Sequence, residues 1–118
     1  MVAYALIEIH RWKILRANKA YYKDTEGKVF AVGYSPRDDS GFVSNSILTF
    51  TQKTMELRTT SGGRIKLVGP PGDSRDADEA WKAFSTRNRV TEVQDMTSRY
   101  QPRPKRGRPP SVENAARR

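Results

Sequence analysis

The sequence VAYALIEIHRWKILR, residues 2–16, is rich in β-branched and aromatic residues, which favour β-strands. Ile7 and Ile9 alternate with polar neighbours, as expected of a strand with one buried face. The apolar positions then change from odd to even, because Trp12 and Ile14 continue the pattern one residue out of phase. One extra residue would bring both pairs to the same face, so the segment predicts a long strand with a β-bulge.

The bulge is expected near Arg11, between the two apolar pairs. A helix is the alternative, because Leu6, Ile9 and Lys13 fall near helical spacing. The β-propensity of the segment favours the strand.

Further strands are predicted from short apolar runs bounded by turn residues, at residues 29–34, 46–50, 55–59 and 64–68. Turns are expected at residues 24–28 and 61–63, and a polar loop at residues 35–41. Residues 89–96 could form a last short strand.

One helix is predicted after the glycine and proline residues at positions 69–72. Asp76 suits its N-cap, with Glu79 completing a capping box. The helix then carries an apolar stripe at Ala77, Ala80, Trp81 and Phe84. This stripe needs the sheet as its partner, so the predicted fold class is α+β, a small antiparallel sheet of about five strands packed by one helix.

Charge is distributed unevenly along the chain. The net charge is +9 over 118 residues. From Arg99 onward there are seven cations and one anion, so two thirds of the excess positive charge lies in the last twenty residues. Four prolines in this stretch and repulsion between like charges oppose regular structure. We therefore expect one domain over residues 1–96 and a disordered basic tail over residues 97–118.

Signatures of catalysis, metal binding and cofactors are missing from the sequence. There is one histidine, His10, no cysteine and no glycine-rich phosphate-binding loop. The pair Asp38–Asp39 is expected in a solvated loop, and the acidic residues between Asp73 and Glu79 suit a helix N-terminus. We expect neither an enzyme nor a bound cofactor. The first residues contain too few apolar side chains before their first charges for a signal peptide or membrane span, so a cytoplasmic protein is expected.

The N-terminal half interleaves cations with aromatic residues. The first such group is Arg11, Trp12, Lys13 and Arg16, followed by Tyr21, Tyr22 and Lys23. This mixture can follow a nucleic-acid backbone and stack on bases, so the first group is a candidate second nucleic-acid surface. The alternative is a sheet edge with its charges outward and its aromatic residues in the core.

The tail contains the sequence RPKRGRPP, formed by Arg103, Pro104, Lys105, Arg106, Gly107, Arg108, Pro109 and Pro110. The A·T minor groove is about 6 Å wide, and its negative potential attracts arginine. Gly107 has no Cβ, so the backbone could approach the groove floor while Arg106 and Arg108 extend along it in opposite directions. The prolines hold the flanks extended and lower the cost of ordering them.

The core Arg106-Gly107-Arg108-Pro109, with its basic and proline-rich flanks, resembles the AT-hook, the short minor-groove element of high-mobility-group-type chromatin proteins. The resemblance covers residues 103–110 and none of the body. It implies preference for A·T-rich double-stranded DNA, because the guanine 2-amino group would obstruct so close an approach. A nucleoid- or transcription-associated protein is expected, or a nuclear one if the source is eukaryotic.

A single hook binds weakly, so useful occupancy requires a second contact. The body's own basic surface, a second copy of the chain in a homodimer, or a protein partner of the body could supply it. The last option is the alternative function, a small adaptor or inhibitor of phage or mobile-element type whose tail gives DNA localisation. RNA binding and a solubilising or nuclear-localisation tail are further alternatives.

Overall fold

The computed structural model describes residues 6–101, which form a curled sheet with one helix packed on it. The strands are β1 (Leu6–Ala20), β2 (Val29–Ser35), β3 (Ser40–Val43), β4 (Ile47–Thr51), β5 (Glu56–Thr59), β6 (Arg64–Val68) and β7 (Val90–Asp95). Helix α1 (Arg75–Arg87) precedes β7, and a 3-10 helix (Thr97–Tyr100) follows it. The order in the sheet is β3-β2-β1-β6-β5-β4, with β7 paired to the C-terminal half of β1. The described part of the chain is α+β, as predicted.

Strand β1 contains the predicted bulge. Its pairing with β2 shifts register between His10 and Lys13, and Arg11 adopts a φ of 47°. The apolar residues before and after the bulge are fully buried in one core, at Ile9, Trp12 and Ile14. The strand prediction is therefore confirmed over the helical alternative.

The sheet encloses the larger of two cores in the described chain. Four strands supply its buried residues, which are Ile9, Trp12, Ile14, Ala31, Leu57, Ile65 and Leu67. Phe42 of β3 and Phe50 of β4 pack against this same core, although their strands stand at opposite ends of the sheet. The sheet therefore twists and curls back toward itself.

Helix α1 packs on the other face of the sheet. Ala77 is fully buried and packs with Val32 of β2. The rings of Trp81 and Phe84 lie against Phe30, with centroids 6.2 and 4.9 Å away. The predicted apolar stripe does meet the sheet. No helix within residues 6–101 has the length and apolar character needed to cross a bilayer.

The helix begins earlier than predicted. Ser74 is the N-cap, with extended backbone (φ −143°, ψ 131°) and a hydroxyl that accepts a hydrogen bond from the Ala77 amide. Asp76 lies in the first turn instead, where its charge favours the positive end of the helix. The predicted capping box is wrong, since Glu79 approaches Arg75 at 3.4 Å. Serine and aspartate are both good N-caps, so the sequence pattern did not distinguish the two positions.

The sheet has more strands than the five predicted. Strand β3 begins inside the segment predicted as a polar loop, where Ser40 pairs with Ser35. Its four residues contain no alternating apolar pattern that would mark a strand. The pairing is also not wholly antiparallel, because β1 and β6 run parallel. That contact joins segments far apart in the chain and leaves no local signal.

Residues 97–101 pack on the body, although the sequence assigns them to the tail. The Thr97 hydroxyl accepts a hydrogen bond from the Ile14 amide at 3.0 Å. The ring of Tyr100 packs against Phe50, with centroids 4.8 Å apart. Residues 102–118, and with them the predicted disorder of the tail, lie outside the described residues.

Candidate nucleic-acid interface

Trp12 belongs to the core and not to a surface. Its side chain is fully buried, and its indole Nε1 donates a hydrogen bond to the Gly69 carbonyl at 3.0 Å. The bulge shifts the register of β1 by one residue, so Trp12 points to the same buried face as Ile9. Trp12 is therefore unavailable for stacking on a base, which corrects its assignment to the second nucleic-acid surface.

Lys13 is held by two carboxylates. Its Nζ lies 2.8 Å from Asp73 and 3.0 Å from Asp78, and only 22% of its side chain is exposed. Partial burial lowers the pKa of Lys13, but the hydrogen bonds and attraction from the two carboxylates outweigh it and leave the pKa raised. The ammonium joins β1 to the start of α1, so its charge is already used within the body.

Arg11 and Arg16 are both exposed, and neither forms an ion pair within the described residues. Arg11 stands in the bulge beside Gly72, whereas Arg16 lies near the turn at Gly27. Five residues of strand separate the two, which corresponds to about 16 Å. The group Arg11, Trp12, Lys13 and Arg16 therefore provides two separate cations and no continuous aromatic and basic surface.

The second interleaved group is more accessible. Tyr21 is 68% exposed and Tyr22 is 44% exposed, and their rings meet edge to face with centroids 5.0 Å apart. Arg89 lies over the Tyr21 ring at 5.1 Å, and its carbonyl accepts a hydrogen bond from the Tyr21 amide. Both tyrosines are exposed enough to stack on a base, and Arg89 places one cation over the ring of Tyr21.

The acidic residues serve structural contacts. Asp39 accepts a hydrogen bond from the Tyr34 hydroxyl, and this bond is the main reason why the pKa of Tyr34 is raised. Asp38 accepts from Ser35 at 3.2 Å. Asp73 is bound to Lys13, whose hydrogen bond lowers the pKa of that carboxyl. Within residues 6–101, no three acidic or histidine side chains are grouped as metal ligands would be.

The start of the tail is fixed to the body by residues 97–101, which we call the tail anchor. The Gln101 carbonyl accepts a hydrogen bond from Gln52 Nε2 at 2.8 Å, beside the packed Tyr100. Burial raises the pKa of the Tyr100 phenol, against a smaller opposing effect of Arg99, so the ring stays neutral at physiological pH. The lone Tyr100 in a polar stretch was the one sequence signal for this anchor.

Two exposed cations lie in or next to the tail anchor. Lys53 follows Gln52 in the chain, and Arg99 precedes Gln101 by two positions. Neither forms an ion pair within the described part of the chain. The chain therefore leaves the body beside two positive charges. Sequence analysis did not identify this feature, because it depends on the contact between the β4–β5 turn and residues 97–101.

The predicted DNA-contacting residues Arg103 to Pro110 lie outside the described residues, and the structure describes where the chain leading to them is fixed. Comparison of the chain with protein-family models, curated protein sequences and solved structures finds no match.

Proposed function

We propose that the protein is a non-catalytic DNA-binding protein whose tail contacts the minor groove of A·T-rich duplex. The observation that carries this proposal is the sequence Arg106-Gly107-Arg108-Pro109 with its basic and proline-rich flanks. Two arginines around a glycine suit the A·T minor groove, which has a negative potential and is too narrow for a helix. Association with a nucleoid, or with chromatin in a eukaryote, follows as part of the same proposal.

The geometry of the body supports the proposal in two ways. The tail anchor fixes the start of the tail, so the hook is tethered to a folded domain at a defined point. The exposed charges of Lys53 and Arg99 beside that point would attract the phosphates of a duplex held by the hook. A tethered second contact raises the effective concentration of the hook and offsets its weak intrinsic binding.

A titration with three duplexes tests this function. The duplexes have equal length and contain A·T pairs, inosine·cytosine pairs or G·C pairs. Inosine lacks the 2-amino group of guanine, so its minor groove resembles that of A·T while its major groove resembles that of G·C. We expect the full chain to bind A·T and inosine·cytosine similarly and G·C more weakly, by about 1–3 kcal/mol per obstructed pair.

Similar affinity for inosine·cytosine and G·C duplex, both below that for A·T, would contradict minor-groove recognition. Competition provides an independent check. A small ligand that occupies A·T minor grooves should displace the protein, whereas methylation of guanine N7 in the major groove should not.

The second candidate function is an adaptor or inhibitor that binds a protein. The observation in its favour is strand β4, which stands at one end of the sheet order and exposes Leu48 by 65%. An edge strand can pair with a strand of another chain. A chain ending at Gln101 keeps the tail anchor and separates the two functions. If that chain binds DNA as well as the full chain does, the tail is not the DNA-binding element.

A further inference from the structure

Within residues 6–101, no layer covers one face of the sheet where β1, β6, β5 and β4 lie side by side. The larger core occupies the opposite face of these strands, and α1 packs against β2, β3 and β7. Strand pairing aligns the outward side chains in two rows. The first row is Leu6, Arg64, Arg58 and Thr49, and the second is Glu8, Lys66, Glu56 and Thr51.

The first row places two arginines directly opposite each other. Arg58 of β5 pairs with Arg64 of β6, so their Cβ atoms are about 5 Å apart. Like charges in this position destabilise a sheet. Glu56 forms an ion pair with Arg64 at 3.6 Å, but Arg58 has no carboxylate partner within the described residues. The fold therefore maintains an unfavourable charge pair that it does not need for packing, since Arg58 is exposed.

The second row is compensated. Lys66 stands between Glu8 and Glu56 on its two neighbouring strands, and its Nζ donates to the Thr54 carbonyl at 3.2 Å. This row thus has no net positive charge, and the positive excess of the face lies at Arg58 and Arg64, of which Arg64 is paired with Glu56. Thr49, opposite Arg58, adds a hydroxyl group beside it.

We propose that Arg58 and Arg64 bind a phosphate of the DNA backbone and give the body its own contact on the duplex. This inference rests on the proposed function. A guanidinium presents parallel N–H donors that match the oxygens of a phosphate, and two guanidiniums can share one phosphate charge. Bound phosphate also offsets the repulsion between the two side chains, of which Arg58 has no carboxylate partner within the described residues.

The distances allow both contacts on one duplex. Gln101 is bonded to Gln52, three residues along the chain from Thr49, which is about 10 Å. Arg58 lies opposite Thr49, about 5 Å further. The five residues from Gln101 to Arg106 span at most about 18 Å. The Gln52 side chain and its hydrogen bond to Gln101 add about 10 Å. The hook and the arginine pair are therefore at most about 43 Å apart, comparable to one turn of B-DNA, about 35 Å.

The test uses the full chain with Arg58→Thr, because threonine favours strands and already stands opposite in β4. Arg37→Thr is the matched control, since Arg37 is an exposed arginine in the β2–β3 turn. We expect Arg58→Thr to weaken A·T duplex binding about fivefold and to reduce the log–log salt slope by about 1. Its unfolding midpoint in urea should equal or exceed that of the wild type. Arg58→Lys should restore the salt slope, and Arg37→Thr should change affinity less than about twofold.

An unchanged affinity and salt slope for Arg58→Thr would overturn the inference, as would a binding loss that follows a loss of stability. The same variants are also titrated with anionic phospholipid vesicles. If Arg58→Thr weakens binding to the vesicles but not to the duplex, the arginine pair is not a DNA contact. A negative result for the Arg58–Arg64 contact can be told apart from a negative result for minor-groove binding by the hook. The hook is judged by the ratio of inosine·cytosine to G·C affinity, which Arg58→Thr should leave unchanged.

Discussion

Arg11 occupies a backbone conformation that side chains disfavour, with φ at 47° in the bulge of β1. The left-handed region costs a residue with a Cβ about 1 kcal/mol relative to glycine. We expect Arg11→Gly to be more stable than Arg11→Ala by about 1 kcal/mol, because both variants lose the guanidinium and only alanine keeps a Cβ. Urea unfolding of the two variants measures the difference. Equal midpoints would mean that the bulge relaxes around any side chain.

The bridge from Lys13 to Asp73 should make stability depend on pH in a defined direction. The pKa of Asp73 is lowered, chiefly by its hydrogen bond with Lys13, so its stabilising effect is present above the ordinary carboxyl pKa. That effect is lost as the pH falls through the lowered pKa of the folded state. The raised pKa of Lys13 keeps its charge present until strongly alkaline pH. We expect Asp73→Asn to melt slightly below the wild type between pH 5 and pH 9, with the gap closing in acid.

Asp24→Asn is the control for that comparison, because Asp24 is exposed and forms no ion pair within residues 6–101. Thermal melts of the three chains at intervals of one pH unit provide the measurement. A gap between Asp73→Asn and the wild type that persists undiminished at pH 2 would contradict the electrostatic origin.

The junction between β3 and α1 depends on a glycine. A Cβ added to Gly41 would overlap the carbonyl oxygen and carbonyl carbon of Asp76 in the first turn of the helix, and these two atoms are backbone atoms that a rotamer change cannot move away. We expect Gly41→Ala to lower the free energy of unfolding by about 2 kcal/mol or more, since overpacking forces backbone movement. Gly72→Ala is the matched control, because its Cβ would meet nothing closer than 3.9 Å. Thermal unfolding distinguishes them, and a well-tolerated Gly41→Ala would show that α1 can move.

Elements with their own periodic pattern were predictable, and elements defined by their neighbours were not. The phase change around Arg11 gave the bulge, and the stripe containing Trp81 gave the face of the helix. Strand β3 escaped prediction because it is short and polar and is stabilised by pairing with β2. The parallel pairing of β1 with β6 joins segments far apart in the chain, so no local pattern encodes it.

The same division applies to the candidate site at the scale of the whole molecule. The hook was recognisable because its chemistry depends on adjacent residues and not on the fold. For Trp12 the sequence left a surface role and a core role open, and the core role is the correct one, since a strand can turn an aromatic residue to either face and only the bulge register determines which. The Arg58–Arg64 pair was invisible in sequence, because it exists only through the register of β5 and β6.

The hook assignment makes a prediction that separates shape from charge in the full chain. Gly107→Val leaves the net charge unchanged but adds a branched side chain where the backbone should approach the groove floor. We expect this variant to bind A·T duplex about tenfold more weakly, comparable to Arg106→Ala or Arg108→Ala, because the guanidiniums can no longer reach the groove. Arg117→Ala is the control, since Arg117 carries the same charge in the tail but lies outside the motif. Gel shifts at one salt concentration rank the four variants. If the three arginine variants lose affinity equally and Gly107→Val binds normally, the tail attracts DNA by charge alone and is not a hook.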